Sequence, residues 1–398
     1  MNPNRPFPHE MLAMRPIRLH LDTSDYAAMY RAEPGTMPAR VRDELMEMVG
    51  GGRIEIGLSY HVFFELMRKA EPKHREDRLK RAGLLKELCG RNAFPYPTDL
   101  PHGPAFSTEG LWLPRIDIEE IEIERVVESM MRAIALHPEV TRHELRVLSK
   151  RKYFARWASD NPARFAQFAQ QVWPLKFGTA FVESGDLRRY VSEEVTRNDA
   201  NLKLRFDITD PVIAYEVWFE RYGRDDPIAE RRNNIASHLV LVLQEVQSML
   251  GGAADLHARV KEAIALRGDD ALSADGRERL LKLRADLKAF RAEITSPQEL
   301  CERVPRWKEL LGGQASLVAA QILFAFHREK RAIKQSDGID FVHAMYLPYC
   351  DLWRGDKAFS DLLIKHRVNF CERAVPTLAS VPERIEIEIG KLRAVARE

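Results

Sequence analysis

Four cysteines in 398 residues, Cys89, Cys301, Cys350 and Cys371, stand far apart and form no CxxC pair. That spacing argues against a zinc site or a disulfide framework and fits a reducing compartment. Net charge is nearly absent: 61 Lys and Arg face 59 Asp and Glu, a balance of +2. The chain as a whole is therefore no polyelectrolyte partner for nucleic acid, and any basic surface is local. Long apolar runs are missing too. The longest, 315–326, is interrupted by Gln321 and is too short for a membrane span. Met11 to Met14 is too short for the core of a signal peptide. A cytoplasmic protein without membrane association is expected. No fixed-length repeat occurs, so a regular solenoid is not expected.

What is present is a globular composition, 45% hydrophobic and 30% charged, with room for two or three domains. The first 98 residues read as strand, helix, strand, helix, helix. Residues 17–22 form a strand ending in Asp22, and a helix over 41–49 stops at Gly50-Gly51-Gly52. A second strand covers 54–57, and Ser59 is placed to cap the helix that carries Glu65. Residues 92–114, rich in proline and glycine, read as a long linker. From 114 to about 334 the apolar spacing is helical, over 118–136, 145–157, 165–177, 213–219, 235–250, 280–290 and 317–326.

The most informative stretch is 336–359, SDGIDFVHAMYLPYCDLWRGDKAF. Asp340 opens an apolar helical run that Pro348 ends. Residues 350–353 then read as a short strand, closed by Gly355-Asp356. Carboxylates at a helix start and at a strand end occupy usual positions for an α/β site.

This stretch resembles the C-terminal half of PIN-like nuclease domains, which place one acidic residue on a late helix and another just past the next strand. Residues 17–24 (IRLHLDTS) resemble their first strand. Residues 54–57 and 59–66 (SYHVFFEL) resemble their second strand and glutamate-bearing helix. The resemblance implies an α/β, three-layer domain with a mainly parallel sheet, in halves 17–98 and 331–398, interrupted by a linker and helical insertion over 99–330. It further implies a shared acidic site of Asp22, Glu65, Asp340 and Asp356 holding Mg²⁺ or Mn²⁺. The implied activity is hydrolysis of phosphodiester bonds, usually in RNA. Asp337 and Asp351 are secondary candidates for a second ion. Relatives often carry Ser or Thr before the fourth acidic residue, where this chain has Gly355.

Hard divalent ions take oxygen ligands, and carboxylates supply both oxygen and charge. Each residue alone also has an ordinary role: Asp22 and Asp340 as helix caps, Glu65 as a solvated helix residue, Asp356 as a turn residue. His61 and His343, near the acidic positions, read as residues packed on helix faces. For substrate contact, 142–157 holds six Lys or Arg against one Glu: Arg142, Arg146, Lys150, Arg151, Lys152 and Arg156, followed by aromatics. An amphipathic helix with a solvated basic face accounts for the same pattern. Residues 68–81 carry seven Lys or Arg against three acidic residues, whereas 117–128 hold six acidic residues and one Arg. The competing expectation is a non-catalytic scaffold or nucleic-acid-binding module whose helical insertion binds a protein partner.

Overall fold

The computed structural model describes residues 15–67, 72–102, 105–113, 122–135, 141–142, 150–173, 179–222, 296–303, 313–331 and 333–395. The helices expected over 235–250 and 280–290 lie outside them. The chain is mixed α/β, mostly helical, and forms two compact units. The first contains 15–57, 97–102, 105 and the described residues from 296 onward; the second contains the described residues of 58–96 and 106–222.

The first unit opens with β1 (Ile17–His20), α1 (Thr23–Tyr30), α2 (Met37–Gly50) and β2 (Ile54–Ile56). The second unit follows with α3 (Tyr60–Leu66), α4 (Arg75–Cys89), α5 (Ile123–Ala135), α6 (Arg151–Asp160), α7 (Pro162–Val172), α8 (Thr179–Glu183), α9 (Asp186–Val191), α10 (Arg197–Ile208) and α11 (Pro211–Tyr222). The chain returns to the first unit as α12 (Pro297–Arg303), α13 (Gly313–Arg328), α14 (Gln335–Ala344), β3 (Leu352–Trp353), α15 (Lys357–Lys365) and α16 (Val381–Val395).

The three strands form one parallel sheet in the order β2-β1-β3. Ile17, Arg18 and Leu19 pair with Ile54, Glu55 and Ile56, while Leu19 and His20 pair with Leu352 and Trp353. Ile17, Leu19, Ile54, Ile56, Leu352 and Trp353 are all buried. A parallel sheet covered by helices needs such continuous apolar strands. The central strand β1 is followed by its neighbour on one side, and β3 joins it on the other. That makes the gap between β1 and β3 a topological switch point, where α/β sheets open a crevice beyond their strand C-termini.

The division of the chain departs from the expected one in three places. α3 and α4 belong with the middle helices, not with the sheet. α4 packs on α11, with Arg75 bonded to Glu216 at 3.0 Å, Lys86 to Asp210 at 2.7 Å, and buried Arg78 over the Tyr215 ring at 6.0 Å. α13 belongs with the sheet, packed against α14 and the turn at 347–349. The stretch read as a linker is divided between the units: 97–102 and 105 belong to the first, while in the second Ala93 bridges both Leu58 and Ser107, and Phe94, Phe106 and Trp112 are buried. The Trp112 indole N–H donates to the Thr209 carbonyl at 2.9 Å. Proline and glycine there shape turns between core aromatics. No helix among the described residues is long and apolar enough to cross a membrane.

Candidate functional site

Asp22 follows directly on β1 and caps α1. Its Oδ2 accepts from the Ser24 N–H at 3.1 Å and from the Ser24 hydroxyl, while the Asp25 carboxylate accepts from the Asp22 N–H at 3.2 Å. The cap fixes the side chain at the positive end of the helix dipole. Asp356 repeats the arrangement past β3: its Oδ1 accepts from Ala358 N–H at 2.9 Å and Phe359 N–H at 3.3 Å, capping α15. The bonds from Ser24 fall on Asp22 Oδ2, and those from Ala358 and Phe359 on Asp356 Oδ1.

Asp340 projects from α14 and makes no hydrogen bond among the described residues. Burial pushes its carboxyl up from the ordinary 3.8 to about 7, against the opposing effect of His343, and the nearby charges of Asp22, Asp356 and Asp337 push it further. Asp22, Asp340 and Asp356 thus share one electrostatic neighbourhood at the C-terminal ends of β1 and β3.

Trp353 helps hold this arrangement. Its indole N–H donates to the His343 carbonyl at 2.8 Å, tying the end of α14 to β3. Its ring also explains Gly355. A Cβ at Gly355 would stand 2.0 Å from the Trp353 ring, so no hydroxyl-bearing side chain fits before Asp356. Beneath lies a buried layer in which His20 Nε2 and His343 Nδ1 are 3.3 Å apart and His20 stacks on Tyr346 and Trp353.

Two residues escaped the reading of the sequence. Asp25 is buried, and its carboxyl is raised to about 7, chiefly by desolvation and also by Asp22, although Arg354 opposes the shift. Arg354, just after β3, places Nη2 3.4 Å from Asp25 Oδ1. The signal for Asp25 was the D-x-x-D spacing of a capping box; for Arg354 it was position alone, two residues before Asp356.

The secondary candidates serve other ends. Asp351 sits before β3, where Arg15 donates two hydrogen bonds to it at 2.7 and 2.8 Å and the Arg18 N–H donates a third at 2.9 Å. Arg18 precedes Asp22 by four residues, roughly 13 Å of strand, so Asp351 lies at the opposite end of the sheet. Asp337 is buried, ion-paired with Arg331, and from the third position of α14 accepts from the N–H of Lys334, the residue at the helix cap, at 2.7 Å. Both are structural anchors and not open ligands. Glu65 is half-buried on α3 and belongs to the second unit, where buried His61 packs against the rings of Tyr60 and Tyr96.

In the basic stretch, Arg142, Lys150, Lys152 and Arg156 are exposed, and Arg146 lies outside the described residues. Arg151 is turned inward. It ion-pairs with Glu124, donates to the Tyr190 hydroxyl at 3.1 Å and lies over the Tyr190 ring. Phe154 is buried and Trp157 half-buried.

No family model, curated protein or solved structure matches this chain.

Proposed function

We propose that the first unit is a PIN-like, metal-dependent phosphodiesterase, a nuclease with RNA as its usual substrate class. The observation that carries the reading is the meeting of Asp22, Asp340 and Asp356 at the switch point of a parallel sheet, with Asp340 raised to about 7. Strongly shifted carboxyls in such a crevice mark functional sites more often than structural ones.

The donor chemistry fits a hard divalent ion. Asp22 and Asp356 each retain an oxygen after capping, and Asp340 carries a carboxyl that a cation would return to its charged form. No three His, Cys, Asp or Glu side chains among the described residues are spaced to hold one ion directly. Mg²⁺ commonly takes one or two protein carboxylates and keeps several waters, which suits this looser set. Bound there, Mg²⁺ or Mn²⁺ would activate a water and stabilise the leaving oxygen. Asp22 and Asp356, fixed by their caps, hold the charge in place. Asp340 would add its charge to theirs once an ion is bound. The N-termini of α1 and α15 add partial positive charge at the edge where a phosphate would sit.

One observation favours the rival, a non-catalytic scaffold with a partner-binding helical unit: Asp22 and Asp356 both have sufficient occupation as helix caps. Cleavage of end-labelled RNA and DNA with Mg²⁺, Mn²⁺ or EDTA decides between them. Metal-dependent cleavage abolished by Asp340→Asn or Asp22→Asn is expected. Undiminished cleavage in EDTA, or in either variant, would remove the metal mechanism.

A further inference from the structure

Among the described residues, Tyr153 on α6 is the one exposed large aromatic side chain, at 49%. A single exposed ring is ordinary by itself; what sets Tyr153 apart is the charge beside it. Its surroundings are specific. Residues four apart on a helix form rows along one face. Lys152 and Arg156 make one such row, both exposed, with the Arg156 side chain 81% accessible. Tyr153 and Trp157 make the adjoining row, the first exposed and the second half-buried. Lys150 is exposed just before the helix, and the nearest acidic residue on this face is Asp160, 3.6 Å from Arg156. A row of positive charge thus runs beside a row of rings.

The helix is anchored from its other side. Arg151 is held by Glu124 and Tyr190, and Phe154 and Ala158 are buried, so the outward rows are presented on a fixed support. Burial of Phe154 removes it as a stacking surface, and Arg151 is spoken for by its ion pair. What remains for a ligand is Tyr153 with Lys150, Lys152 and Arg156.

We infer that this face of α6 binds single-stranded nucleic acid, with a base stacked on Tyr153 and the backbone phosphates running along Lys152 and Arg156. A single strand is required because a base inside a duplex has no open face for a tyrosine ring, whereas an unpaired one does. The inference rests on the phosphodiesterase reading only for the choice of nucleic acid as partner; it specifies the strand state that the protein takes.

The test is fluorescence anisotropy with a labelled oligouridylate of roughly 12 nucleotides, within usual site sizes, in EDTA so that binding is read without cleavage. The comparison ligands are the same backbone without bases and an RNA duplex. The full chain should bind the oligouridylate about tenfold more tightly than the abasic strand. Tyr153→Ala should erase that difference and Tyr153→Phe should retain it, which separates stacking from misfolding. Lys152→Ala with Arg156→Ala should weaken both strands and reduce the slope of log affinity against log salt by about 1.4. Equal affinity for intact and abasic strands, tighter binding to duplex, or no dependence on Tyr153 would each overturn the inference. Absence of any oligonucleotide binding at low salt would also overturn it and give the face to a protein partner. Asp340→Asn separates the two readings. RNA binding without cleavage in the unmodified chain removes the nuclease and leaves this surface; cleavage with binding indifferent to Tyr153 removes only the surface.

Discussion

The two ends of one small sheet carry their acidic residues differently. At the N-terminal end each is answered by a cation: Asp351 by Arg15, Glu55 by Arg18 at 3.7 Å, and Glu386 by Arg53. At the C-terminal end Asp22, Asp340 and Asp356 crowd together with no salt bridge to any of the three among the described residues, and the one nearby guanidinium, Arg354, faces Asp25. Paired carboxylates at an edge hold strands in register and have settled charge. Carboxylates without such partners are held against their mutual repulsion: desolvation raises the Asp340 carboxyl, and the charges of Asp22 and Asp356 raise it further. The same residue type is thus salt-bridged at one end and, among the described residues, left without a salt bridge at the other.

The contrast breaks most visibly in activity. Asp340→Asn or Asp22→Asn should lower metal-dependent phosphodiester cleavage by about 100-fold or more, a size usual for removing a group that stabilises transition-state charge. Asp351→Asn at the other end should leave cleavage within about threefold, since a far-end anchor contributes no transition-state contact. Single-turnover cleavage of labelled RNA measures both, and equal losses at the two ends would erase the distinction.

Gly355→Ser should destabilise the chain by about 2 kcal/mol, because its Cβ would overlap the Trp353 ring. Urea denaturation reads this. A neutral substitution would mean that the indole yields easily and does not fix the turn before Asp356.

The pH dependence should oppose that of ordinary carboxylates. The Asp340 and Asp25 carboxyls are raised to about 7 in the folded chain, above the ordinary 3.8. Between those values the folded state holds protons that the unfolded chain releases. Metal-free stability should therefore be highest below that window and fall as pH rises through about 7. Asp340→Asn should raise stability at pH 8 by ~2 kcal/mol, a value reduced from the full shift for solvent screening. Thermal melts in EDTA across pH 5 to 8 supply the check, and a variant less stable than the parent at pH 8 would contradict it. Saturating Mg²⁺ should flatten the parent's pH profile, because an ion favours the charged carboxyls.

The smallest effect belongs to the anchored end. Asp351→Asn should cost about 1 kcal/mol, through lost charge-assisted bonds to a half-exposed Arg15. Added salt should narrow the difference, and a loss above about 3 kcal/mol would show that Asp351 does more than align β1 and β3.

The elements that frame the site were legible in the sequence because their signals are local. Alternating apolar residues mark β1 and β2, the glycines at 50–52 follow α2, and Ser59 accepts from Val62 N–H as the cap of α3. The parallel pairing of all three strands follows from strands separated by helices. The positions of Asp22 and Asp356 just past strand ends were legible on the same basis. Other features depended on partners distant in the chain. Asp351 and Asp356 look alike as sequence, and only Arg15, 336 residues from Asp351, separates the anchor from the open carboxylate. α4 carries no sign that α11 will claim it, and the glycine and proline around 92–114 conceal that Phe94, Phe106 and Trp112 are core. The sequence by itself marked the strands and helices around the site and put Asp22 and Asp356 just past strand ends, since capping and periodicity act within a few residues; Asp340, read as opening a helix, lies inside α14, which begins at Gln335. Which of those carboxylates stay uncompensated was decided only by the tertiary structure, because charge pairing and desolvation are set by neighbours that folding brings together.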